Sequence, residues 1–82
     1  MKKLSYPKNK INVLLLEKID RIAFDIFRDE GYNVESMDGS MNEEELLEKI
    51  KNISILGIRS KTKISKKVIK SANKLLAIGA FC

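Results

Sequence analysis

The strongest constraint on how this chain folds is a hydrophobic period that switches repeatedly between two values. Short, nearly continuous apolar runs alternate with stretches at helical spacing. Ile11-Asn12-Val13-Leu14-Leu15-Leu16 is such a run and predicts a strand covered on both faces. Ile19, Ile22, Ala23, Ile26 and Phe27 then recur at helical spacing, with Asp20 as N-cap or first-turn acid and Gly31 as the C-terminal stop. Tyr32-Asn33-Val34-Glu35-Ser36 predicts a short second strand, closed by the turn signal Asp38-Gly39-Ser40. Asn42 and Glu45 have capping-box spacing, flanked by the Met41 and Leu46 staple pair, so Leu46, Leu47 and Ile50 form the inner face of a second helix. Residues 53–58 predict the third strand. Ser65 is the N-cap of a third helix whose inner face is Val68, Ile69 and Ala72, with Ile64 and Ile69 at staple spacing. Leu75-Leu76-Ala77-Ile78 predicts strand four.

This alternation implies right-handed crossovers and a parallel sheet. The expected fold is therefore α/β: a partial flavodoxin-like or Rossmann-like sheet of four strands, order 2-1-3-4, with three helices and no helix after the last strand. Residues 1–10, polar and basic with the sole proline Pro7, read as a lead-in, and 11–82 as part of one α/β domain. A bare sheet edge or face beside strand four predicts either a longer parent chain, a covering partner, or self-association. At 82 residues such a domain buries only ~60% of its unfolded surface, so modest stability is expected.

Composition excludes several chemistries. With no histidine, the chain has no histidine general base, no Ser-His-Asp or Cys-His arrangement and few routes to a catalytic zinc site. Its single cysteine, Cys82, rules out an intrachain disulfide and fits a reducing, cytoplasmic setting. No apolar run approaches the ~20 residues of a membrane span. The four glycines are too scattered for a dinucleotide fingerprint or P-loop, so no cofactor is expected on this chain. Glu43, Glu44, Glu45 and Glu48 suit a helix first turn on dipole grounds, and no metal site is expected.

Charge directs attention to one region. Residues 1–41 carry seven Lys/Arg against seven Asp/Glu, whereas 42–82 carry nine against four. Arg59, Lys61, Lys63, Lys66, Lys67, Lys70 and Lys74 form an acid-free stretch that favours an anionic partner. In an open parallel sheet, ligands bind beyond the carboxyl ends of the strands where strand order reverses, here between strands one and three. The loops expected there begin at Glu17-Lys18 and at Arg59-Ser60-Lys61-Thr62. The second offers a guanidinium fork, hydroxyls, an ammonium and backbone N–H groups, the makings of an anion site. The plainer reading of Arg59 is a solvated charge or a salt bridge to Glu17. A second functional reading is a free-standing interaction module that meets an acidic partner through 59–74. Tyr6, Phe24, Phe27, Tyr32 and Phe81 are scattered away from those lysines, which disfavours nucleic acid. A truncated frame that folds poorly is the third reading.

The segments Ile55-Leu56-Gly57-Ile58-Arg59-Ser60-Lys61-Thr62 and Leu75-Leu76-Ala77-Ile78-Gly79-Ala80-Phe81-Cys82, together with the opening Lys10–Glu17 and the Asp29-Glu30-Gly31-Tyr32 helix end, carry a further signal. At this separation they resemble the D-isomer-specific 2-hydroxyacid dehydrogenase family, in particular its members acting on 3-phosphoglycerate. The resemblance spans essentially the whole chain. It implies a parent enzyme that oxidises 3-phosphoglycerate to 3-phosphohydroxypyruvate with NAD in serine biosynthesis, and that this chain is the N-terminal portion of its substrate-binding domain. It also implies that Arg59 and Ser60 help to hold the anionic substrate. Lys61 stands where a second arginine is common, keeping the charge but losing the bidentate fork. Ala80 replaces a cysteine frequent in similar sequences. The nucleotide fingerprint and the catalytic arginine, glutamate and histidine of the family would lie beyond residue 82, so the chain alone is expected to be inactive.

Overall fold

A computed structural model describes residues 10–80. The lead-in residues Tyr6 and Pro7, as well as Phe81 and Cys82, fall outside them. Four parallel strands, β1 (Asn12–Leu15), β2 (Asn33–Ser36), β3 (Ile55–Ile58) and β4 (Ala77–Ala80), form one sheet in the order β2-β1-β3-β4. Between them run α1 (Arg21–Asp29), α2 (Glu43–Lys49), continued by a 3-10 turn over Ile50–Asn52, and α3 (Lys66–Ser71). The predicted order of elements and strand order are both observed.

Strand alternation divides the core into two layers. Leu14, Leu16, Leu56 and Ile58 face α2 and α3, where they meet Leu46, Ile50, Ile53 and Val68. Val13, Leu15 and Ile19 face the other way, against Ala23, Phe24 and Phe27 of α1 and against Tyr32, Val34 and Ile55. Both faces of β1 and β3 are thereby covered, which is why their sequences are apolar almost without a break. The edge strand β4 is mostly exposed, Ile78 included.

The helix starts follow the sequence. Asp20 caps α1 by accepting from the Ile22 N–H at 3.0 Å. Asn42 and Glu45 form both arms of the capping box. Ser65 accepts from the Val68 N–H at 3.3 Å. Gly31 ends α1 in the left-handed region, φ 96°.

Three details differ from expectation. Ile22 and Ile26 are 66% and 58% exposed rather than inward. Two adjacent apolar stripes run along α1, and the sheet selects Ala23, Phe24 and Phe27, whose aromatic rings bury more area and meet Tyr32 edge-on at 5.7 Å from Phe27. Ile69 is likewise exposed, because Val68, one residue and ~100° away, takes the centre of the short α3. Finally, β4 begins two residues later than predicted. Leu75 packs into the core layer under α3, and the ladder starts where the Leu76 and Ala77 N–H groups reach the Ser54 carbonyl.

The turn after β1 contains no glycine, yet Glu17 and Lys18 both adopt the left-handed region, φ 65° and 53°. Their N–H groups donate to the Gly39 and Met37 carbonyls, so the β2–α2 loop holds them there. For the exposed Lys18, replacement by glycine relieves a conformation that costs a residue with a Cβ about 1 kcal/mol. Lys18→Gly is expected to raise the melting temperature by about 4 °C, measured by circular dichroism; a lower value would show that the turn is unstrained.

Candidate functional site

The order β2-β1-β3-β4 puts the reversal point between β1 and β3. Beyond their carboxyl ends lies an open cavity of about 460 Å³, lined by Glu17, Asp38, Gly39, Ser40, Arg59, Ser60 and Lys61. All three residues singled out from sequence, Arg59, Ser60 and Lys61, are on one wall of it and exposed. The opposing wall, Asp38–Ser40, was visible in the sequence only as a turn.

Glu17 sets the geometry between the walls. Its side chain is buried, 7% exposed. One carboxylate oxygen accepts the Lys61 N–H at 2.8 Å, and the other accepts the N–H groups of Arg59 and Thr62, each at 2.9 Å. This corrects two expectations. Glu17 pairs with the Arg59 backbone instead of its guanidinium, and the backbone N–H groups at the mouth of β3 are already occupied by a carboxylate of the chain itself. The loop therefore has the form of an anion nest, but the nest is filled from within. An incoming anion has the side chains of Arg59, Ser60 and Lys61 to meet, and none of them has a side-chain partner among the described residues.

Burial acts most strongly on Glu17 and raises its pKa. The Lys61 N–H, the nearby Thr62 hydroxyl, and the Arg59 and Thr62 N–H groups together outweigh it and lower the pKa to about 2. The Thr62 hydroxyl acts from close by without meeting full hydrogen-bond geometry, since its buried oxygen has no partner. A carboxylate this acidic is a poor proton acceptor near neutral pH. Glu17 is accordingly suited to holding the loop after β3 in shape and not to accepting a proton.

Other candidate features separate from this site. A cavity of about 400 Å³ at the opposite rim is lined by Asn12, Asn33 and Asn52, where the Asn12 amide donates to the Asn52 backbone carbonyl at 2.9 Å and accepts from the Asn33 amide at 3.2 Å. Glu43, Glu44 and Glu45 occupy the first turn of α2, and no metal-binding cluster occurs among the described residues. Lys66, Lys67 and Lys70 are exposed on α3, while Phe24, Phe27 and Tyr32 pack on the opposite face of the sheet. No described helix is long and apolar enough to cross a membrane.

Comparison with known proteins gives a uniform result. Residues 13–82 match the model of the D-isomer specific 2-hydroxyacid dehydrogenase catalytic domain. The chain is 49% identical to D-3-phosphoglycerate dehydrogenase of Dictyostelium discoideum, over 95% of this chain and 19% of that protein. It is 47% identical to D-3-phosphoglycerate dehydrogenase 2 of Saccharomyces cerevisiae, over 94% of this chain and 16% of that protein. For D-3-phosphoglycerate dehydrogenase of Escherichia coli the figures are 41%, all of this chain and 20% of that protein. The chain thus spans a fifth or less of the length of these relatives.

Proposed function

Since the chain belongs to the D-isomer-specific 2-hydroxyacid dehydrogenase family of oxidoreductases, we propose that it is the N-terminal part of the substrate-binding domain of a D-3-phosphoglycerate dehydrogenase. The whole enzyme oxidises 3-phosphoglycerate to 3-phosphohydroxypyruvate with NAD, the first step toward L-serine. The observation that carries this reading is the cavity at the β1–β3 reversal point, with the uncommitted Arg59 guanidinium, Ser60 hydroxyl and Lys61 ammonium on one wall.

In this reading Arg59 grips an oxyanion of the substrate through its fork, Ser60 donates a hydroxyl hydrogen bond, and Lys61 adds a compact charge. Glu17 keeps the loop in shape by taking up three backbone N–H groups. The described residues do not fit a dinucleotide: the turn after β1 has no glycine, and the N–H groups that would cradle a pyrophosphate already hold Glu17. Removing a hydride from the substrate carbon also needs a base for the hydroxyl proton. The chain has no histidine, and Glu17 is too acidic for the task. The chain contributes binding and orientation, and the chemistry needs the rest of the enzyme.

Titrating the 15N-labelled chain with 3-phosphoglycerate is expected to shift the amide signals of residues 38–40 and 59–62, weakly and in a salt-sensitive way. Arg59→Ala should weaken binding about tenfold, on the scale of a lost charge-assisted hydrogen bond, and Arg59→Lys should recover part of it. Unchanged binding by Arg59→Ala would count against the site. No NADH should form from NAD and 3-phosphoglycerate with the chain alone, and turnover would refute its inactivity.

A further inference from the structure

We propose that Asp38 is a specificity-determining residue of the cavity, biasing it against doubly charged ligand groups and toward singly charged ones such as a carboxylate. The inference rests on reading the cavity as an anion site, and it follows from where the structure puts charge. One wall carries Arg59 and Lys61; the other, across the reversal point, carries Asp38 beside Gly39 and Ser40, with Glu17 between them. The two cations are therefore matched by two carboxylates, and the formal charge of the lining is zero. This is the opposite of what the acid-free run from Arg59 to Lys74 suggests, because sequence proximity groups Arg59 with lysines that the fold sends away along α3.

The two carboxylates have different duties. Glu17 has its oxygens committed to three backbone N–H groups. Asp38 is exposed in the bend after β2, and no hydrogen bond or ion pair of its carboxylate occurs among the described residues. Its charge is thus spent on nothing among the described residues. A space of about 460 Å³ is roughly 10 Å across, close to the Debye length at physiological ionic strength, so an anion held by Arg59 experiences Asp38 incompletely screened. The repulsion scales with ligand charge, so a phosphate near neutral pH, with close to two negative charges, is penalised about twice as much as a carboxylate.

The test compares 3-phosphoglycerate with glycerate, which lacks the phosphate, for the unaltered chain, Asp38→Asn and Arg59→Ala, by NMR titration at pH 7.5. Asparagine keeps the shape and suits a bend, so folding should be unaffected. Asp38→Asn is expected to tighten 3-phosphoglycerate roughly three- to tenfold and glycerate by less, the ratio between them rising. If Arg59→Ala weakens binding while Asp38→Asn leaves the ratio unchanged, the role of Asp38 is overturned and the anion site stands. If Arg59→Ala changes nothing, or no variant binds either acid, the anion site itself falls and the role of Asp38 with it.

Discussion

Leu56→Ala is expected to leave most of the chain unfolded at 25 °C. Leu56 is fully buried in the interior strand β3, in the layer that joins the sheet to α2 and α3. Truncating such a leucine costs about 2–5 kcal/mol, as transfer free energy plus the cavity left behind. A domain of this size has of the order of 4–12 kcal/mol in total, and one with a bare edge strand belongs near the lower end. The measurement is urea denaturation followed by circular dichroism, where the variant should lack a folded baseline in most of the range. Ile26→Ala is the informative control. At 58% exposure it should change stability by less than about 0.5 kcal/mol, since alanine is also the better helix former. A large loss there would mean that α1 packs on the stripe containing Ile22 and Ile26 after all.

Glu17→Gln should have the second largest effect, and one that depends on pH. The carboxylate presents two acceptor oxygens to three N–H donors, whereas the amide turns one position into a donor facing donors. The loop after β3 loses its anchor, and a fall in melting temperature of about 10 °C or more is expected at pH 7. In the unaltered chain Glu17 titrates at about 2 when folded, against 4.5 for the ordinary group. Between these values the unfolded chain holds the proton and the folded chain does not, so stability rises with pH. The contribution of Glu17 is complete above about 4.5 and disappears as pH falls through about 2. Thermal melts from pH 7 to pH 2 should show a steep loss of stability in this window, flattened in Glu17→Gln. Equal slopes would show that other carboxylates govern the acid limb.

The site was half legible in the sequence. Arg59, Ser60 and Lys61 could be placed beyond a strand end, because an apolar run that stops at a charged residue marks where the chain leaves the core. The sequence offers Glu17 only as one alternative, a salt-bridge partner for an Arg59 that is otherwise solvated. That it would fill the backbone nest could not be seen, because it depends on the direction of three N–H groups 42–45 residues away. Two left-handed residues in a glycine-free turn gave no warning either, being held by carbonyls of another loop.

By itself the sequence determined the order of elements, the helix caps, the covered central strands and the position of the cationic loop, all of which rest on periodicity and on contacts within a few residues. Tertiary structure alone decided which of two apolar stripes α1 buries, where β4 enters the ladder and which charges share the cavity. Those outcomes depend on contacts between residues far apart in sequence, where area buried and hydrogen-bond direction choose among locally equivalent arrangements.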